Sequence, residues 1–109
     1  MKMRFALVLA LSVSATVYAE DSAGDIWKSK CQGCHGSDGK AKTKMGEKEK
    51  IPDLSDADFQ KKHSDADLKE VITNGSKTNA KMKAFKDKLT PEQIDGMVKY
   101  IRTLSAPAK

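Results

Sequence analysis

Cys31-Gln32-Gly33-Cys34-His35 is the stretch that decides how this chain folds. It holds both cysteines of the 109-residue sequence, three apart, with a histidine directly after the second. Residues i and i+3 of a helical turn face the same way. The stretch therefore presents two thiols and an imidazole to one neighbouring surface. A disulfide between the two thiols would close a tiny loop and hold nothing distant together.

Outward toward the N-terminus, the sequence reads as an export signal. Lys2 and Arg4 are followed by the apolar run Phe5 to Leu11, and Val17-Tyr18-Ala19 has the small-x-small pattern of a cleavage site. The run is shorter than the roughly 20 apolar residues that span a bilayer. Two domains are expected: a cleaved leader, 1–19, and a mature domain, 20–109. The leader carries two of the 20 Lys and Arg and none of the 15 Asp and Glu, so its removal lowers the formal charge from +5 to +3. Export and interleaved charges, as in Glu47-Lys48-Glu49-Lys50, argue against a nucleic-acid partner. No membrane span is expected in the mature chain, and a periplasmic location is.

In an exported protein, C-x-x-C-H reads as a c-type haem attachment site. Cys31 and Cys34 would become thioethers to the two vinyl groups of one covalent haem c. His35 would turn its ring under the porphyrin and ligate the iron. A thioredoxin-like site expects an α/β context, which the sequence lacks. A zinc site needs four ligands, and His63 is the one spare strong ligand. The composition agrees with a prosthetic group. From residue 20 onward the aromatics are Trp27, Phe59, Phe85 and Tyr100, a thin core for so short a domain.

Toward the C-terminus the pattern is helical, with no period-two alternation. Asp25 to Cys34 places Ile26, Trp27 and Cys31 at helical spacing. Ser55 to Phe59 reads as a short capped turn. Ser64 or Asp65 caps a helix with Leu68, Val71 and Ile72 on one face, stopped by Asn74-Gly75. Thr90, Pro91 and Gln93 supply an N-cap, a first-turn proline and a capping box. Ile94, Met97, Val98, Ile101 and Leu104 then repeat at i, i+3, i+4, i+7 and i+10. Gly36 to Lys50 is rich in Gly and Lys and reads as exposed loop. The expected fold is all-α.

A second axial ligand must come from elsewhere in the chain. Met97 lies on the apolar stripe of the last helix and reads as core. Met45 stands in a Lys-rich loop, Met82 in a loop before the last helix, and His63 between Lys61, Lys62 and Ser64, a solvated setting.

Nearly all of the mature chain resembles the small soluble monohaem class I cytochromes c of bacteria. The resemblance rests on Trp27, on Cys31 to Gly39 and on Ile51-Pro52-Asp53-Leu54. Met82-Lys83-Ala84-Phe85, Lys88-Leu89-Thr90 and Val98 to Arg102 continue it. It implies a class I cytochrome c fold of about three to five short helices around one covalent haem c. It implies Met82 as the sixth iron ligand, and Pro52 as the residue whose carbonyl accepts the Nδ1–H of His35. It implies a crossing of the first and last helices, for which Gly24 and Gly96, beside Trp27 and Tyr100, are the candidates. Leu54, Leu68, Val71, Ile72, Phe85 and Leu89 are candidates for the pocket wall. The family usually has Pro after the ligating Met, and here Lys83 stands there, without the fixed φ of Pro.

The function so implied is a monomeric periplasmic electron carrier, not an enzyme, with His35 and Met82 closing the iron to small ligands. A thioether ligand and an apolar pocket give a positive potential. Lys77, Lys81, Lys83, Lys86 and Lys88 surround Met82 in sequence, and Lys40, Lys42 and Lys44 follow the haem motif. They are candidates to steer the carrier to acidic patches on a reductase and an oxidase. Two other readings stay open: a haem enzyme or gas-binding sensor with a labile sixth position, and the haem subunit of a larger dehydrogenase.

Overall fold

The computed structural model of the protein describes residues 23–105. The proposed leader lies outside the described residues. Five helices and no strands make up the described chain. Helix α1 covers 23–35 in three registers: an α-helical turn, a π-helical turn Trp27–Cys31, and an α-helical turn Gln32–His35. The amide of Gln32 donates to the Trp27 carbonyl, five residues back. Single π turns are frequent at functional sites. This one buries Trp27, at 2% exposure, while leaving Cys31 half-buried at the C-terminal end of the turn.

Gly36 ends α1 with φ 85° and ψ 161°, a region that essentially only glycine populates. The chain then folds back under the helix end. The Ala41 amide donates to the His35 carbonyl at 2.8 Å. The Thr43 hydroxyl donates to the Cys34 carbonyl at 2.8 Å, and the same oxygen accepts from the Gly46 amide, capping α2 (Lys44–Lys48). The segment 36–50 is only in part the exposed loop its composition suggested: its lysines are exposed, but Gly36, Gly39, Ala41 and Gly46 are buried and Lys44–Lys48 is helical. Helix ends leave carbonyls without partners, and this return segment supplies them.

Helix α3 (Ala57–Lys62) is capped by Asp56 and runs further than the short turn expected there. Helix α4 (Asp65–Asn74) starts with a reciprocal capping box of Ser64 and Asp67 and buries Leu68 and Ile72. Helix α5 (Pro91–Thr103) carries the expected capping box of Thr90 and Gln93, and it buries Ile94, Met97, Val98 and Ile101. A clamp joins the three. The Arg102 guanidinium donates to the carbonyls of Gln60 and His63, to the Gln60 side chain and to Asp65. The Gln60 amide in turn donates to the carbonyls of Leu54 and Ile101.

The core joins α1, α4 and α5 through residues such as Trp27, Leu68, Ile72 and Met97. Helices α1 and α5 meet at Trp27 and Tyr100, whose ring centroids are 5.2 Å apart. Gly24 does not form the expected close approach, because a Cβ there would meet no described atom within 4 Å. Aromatic packing carries the described contact. Gly96 is half-buried on α5.

Candidate haem site

One large, mainly apolar cavity, of about 570 Å³, opens between α1, α4, α5 and the loops that join them. That volume lies in the range of cofactor sites, roughly 300–1,000 Å³. Helix α1 contributes Cys31, Cys34 and His35 to its lining. The loop before α5 contributes Met82. All six residues expected in the wall, Leu54, Leu68, Val71, Ile72, Phe85 and Leu89, line it, and so does Pro52. Met97 lines it from α5 at 1% exposure. Met45 is not among the lining residues.

Both cysteines are free. Burial pushes the Cys31 thiol up to about 11, against the opposing charge of Lys30 and with a smaller upward push from Cys34, so it stays neutral. Burial also lowers the pKa of His35, which keeps its imidazole neutral and able to ligate. The ring packs against Trp27, with centroids 5.7 Å apart, and the Trp27 indole N–H donates to the Gly36 carbonyl at 3.0 Å.

His35 Nδ1 is buried and has no hydrogen-bond partner. The expected bond to the Pro52 carbonyl is therefore not made, although both residues line the cavity. A buried polar atom without a partner costs about 1–3 kcal/mol and calls for a reason. Two free thiols, an imidazole packed on Trp27 and a thioether, all on one mainly apolar cavity, fit a covalent haem c. Among the described residues no group of three or more His, Cys, Asp or Glu side chains is arranged to hold a metal ion.

His63 is not the solvated histidine its neighbours suggested. It is half-buried, packs on Phe59 with ring centroids 4.5 Å apart, and lines the cavity. The signal was present in the i, i+4 spacing of Phe59 and His63. Of the expected docking lysines, Lys81 and Lys83 line the cavity and are exposed, so they stand at its mouth. Lys30 and Lys50 join them there. Lys40 instead donates to the Ser55 hydroxyl, away from the cavity lining. Glu49 pairs with Lys81 at 3.8 Å across the same mouth. No helix among the described residues is long and apolar enough to cross a membrane.

Residues 19–101 match the family model described as cytochrome c oxidase, cbb3-type, subunit III. The solved structure described as KustC0563 c-type cytochrome is 34% identical, with a TM-score of 0.68, over 75% of this chain and 95% of that one. A point mutant of that cytochrome is likewise 34% identical, at a TM-score of 0.67, over 75% of this chain and 96% of the mutant. A chain of the Kuenenia stuttgartiensis reducing HAO-like protein complex Kustc0457/Kustc0458 shares the fold, with a TM-score of 0.68 and 18% identity. That match covers 95% of this chain and 51% of the other. A search of curated proteins gave no match. With its all-α fold and its cavity above a C-x-x-C-H helix, the chain belongs to the cytochrome c family that the cbb3-type subunit III model describes, as a small class I cytochrome c.

Proposed function

We propose that this cytochrome c is an exported, periplasmic carrier of single electrons, with one haem c ligated by His35 and Met82, and that it performs no substrate chemistry. Haem-based electron transfer belongs to the family. The observation that supports the finer reading is that Cys31, Cys34, His35 and Met82 line one and the same apolar cavity, while Met45 stays outside it; Met97 and His63 line it too, Met97 as buried core of α5 and His63 packed on Phe59. When bound, the haem supplies a reversible one-electron change at iron.

The chain's own residues do the rest. Cys31 and Cys34 would anchor the group through thioethers, and His35 would offer it a neutral ring nitrogen. Met82 offers a soft sulfur that favours Fe(II) and raises the potential. Leu68, Val71, Ile72 and Phe85 give the lining its apolar character. Lys30, Lys50, Lys81 and Lys83 mark the mouth as the face that meets acidic patches of a reductase and an oxidase.

A redox titration of the matured protein tests this reading. The expected result is a single reversible one-electron step at a positive potential, which falls when Met82 is replaced by Ala. Two steps would contradict a single haem. A potential unmoved by Met82→Ala would contradict the thioether ligand.

A further inference from the structure

Gly75 sits at the end of α4, and we propose that it is a positioning residue that sets Met82 for axial ligation, a role that rests on the His35/Met82 reading above. Its backbone has φ 90° and ψ 167°, a region that essentially only glycine populates. A Cβ built there would stand 3.1 Å from the Met82 carbonyl oxygen and 3.2 Å from the Ala84 nitrogen. Both are backbone atoms, so neither can swing aside as a side-chain tip would. The glycine therefore lets the end of α4 lie directly on the backbone that carries the thioether.

Hydrogen bonds fix that contact on both sides of Met82. The Ser76 amide donates to the Met82 carbonyl at 3.1 Å, and the Met82 amide donates to the Asn79 carbonyl at 3.0 Å. Further on, the Phe85 amide donates to the Ile72 carbonyl at 2.8 Å and the Lys86 amide to the Thr73 carbonyl at 3.2 Å. Lys83 follows Met82, so no proline ring fixes φ there. The stitch to α4, made possible by Gly75, holds the loop instead. The end of α1 is built alike: Gly36, in the same backbone region, follows His35 directly.

The test compares haem-loaded wild type, Gly75→Ala, Gly39→Ala and Met82→Ala by the far-red thioether-to-Fe(III) band and by carbon monoxide binding. Gly39 is the control. Its φ is 77°, and a Cβ there would meet Leu104 Cδ1 at 2.6 Å and Leu54 Cβ of the cavity wall at 3.7 Å, so its replacement strains the fold on the side of the cavity that does not carry Met82. The expected result is a weakened band and carbon monoxide affinity raised about tenfold or more in Gly75→Ala, with neither change in Gly39→Ala. Equal changes in both variants, or none in Gly75→Ala, would overturn the proposal. A band that survives Met82→Ala overturns the ligand assignment itself. A band lost there but intact in Gly75→Ala overturns only the role of Gly75.

If Gly75→Ala takes up no haem, hydrogen exchange in wild type decides. Displacing the thioether with imidazole should speed exchange of the Ser76 amide about tenfold while leaving the Ala41 amide unchanged. Unchanged Ser76 protection would overturn the proposal.

Discussion

Asp53 shows how a single side chain can fix the turn that brings its neighbours Pro52 and Leu54 to the site. Its carboxylate accepts from the Ser55 amide at 2.8 Å and from the Ser55 hydroxyl. Burial pushes its pKa up, but the Ser55 bonds, with Lys40 and Lys42, outweigh that and hold it below the ordinary value. A depressed carboxylate adds stability above its unfolded pKa, and that stability is lost as pH falls through the folded value. Asp53→Asn should therefore flatten the loss of thermal stability below about pH 4. An equally steep acid loss in wild type and variant would contradict it. The site was legible at this scale wherever chemistry dictates residue type. Cys31, Cys34 and His35, read from their motif, reach one cavity, and so does Met82, which only the family resemblance singled out. What stayed hidden depends on tertiary neighbours. Nothing in the order of residues shows that His35 Nδ1 finds no partner, whereas the packing of His63 on Phe59 was signalled by their i, i+4 spacing and overlooked because its immediate neighbours are polar.

Among the elements, the helices specified by local signals are the ones the sequence placed well. Thr90, Pro91 and Gln93 start α5 where expected, and its apolar stripe is buried. Thr90→Ala removes the oxygen that accepts from the Gln93 amide. It should lower stability by about 0.5–2 kcal/mol, read as a shifted denaturant midpoint at constant m. An unmoved midpoint would show that the cap contributes nothing. Helices held by distant contacts were not legible. Lys44 to Lys48 has no apolar stripe, and α2 exists because Thr43 ties it to the Cys34 carbonyl. The π turn in α1 likewise has no sequence signature. It accompanies the packing of Trp27 between His35, Gly36 and Tyr100.

The whole molecule is built around its cavity, because α1, α4, α5 and the Met82 loop all contribute to the lining. A domain with so few aromatics needs its prosthetic group as core. The double variant Cys31→Ala, Cys34→Ala should be largely unfolded, and a well-dispersed NMR spectrum of it would contradict this. The cationic mouth predicts that electron exchange with an acidic partner slows steeply as salt rises. A flat salt response would remove the docking face. The most direct test of the central claim, that His35 and Met82 together close the iron, is the visible spectrum of the matured wild-type protein with and without carbon monoxide. A low-spin c-type spectrum with the far-red thioether band and no response to the gas is the predicted result. A high-spin spectrum, or ready uptake of carbon monoxide, would mean an open sixth position and would contradict it.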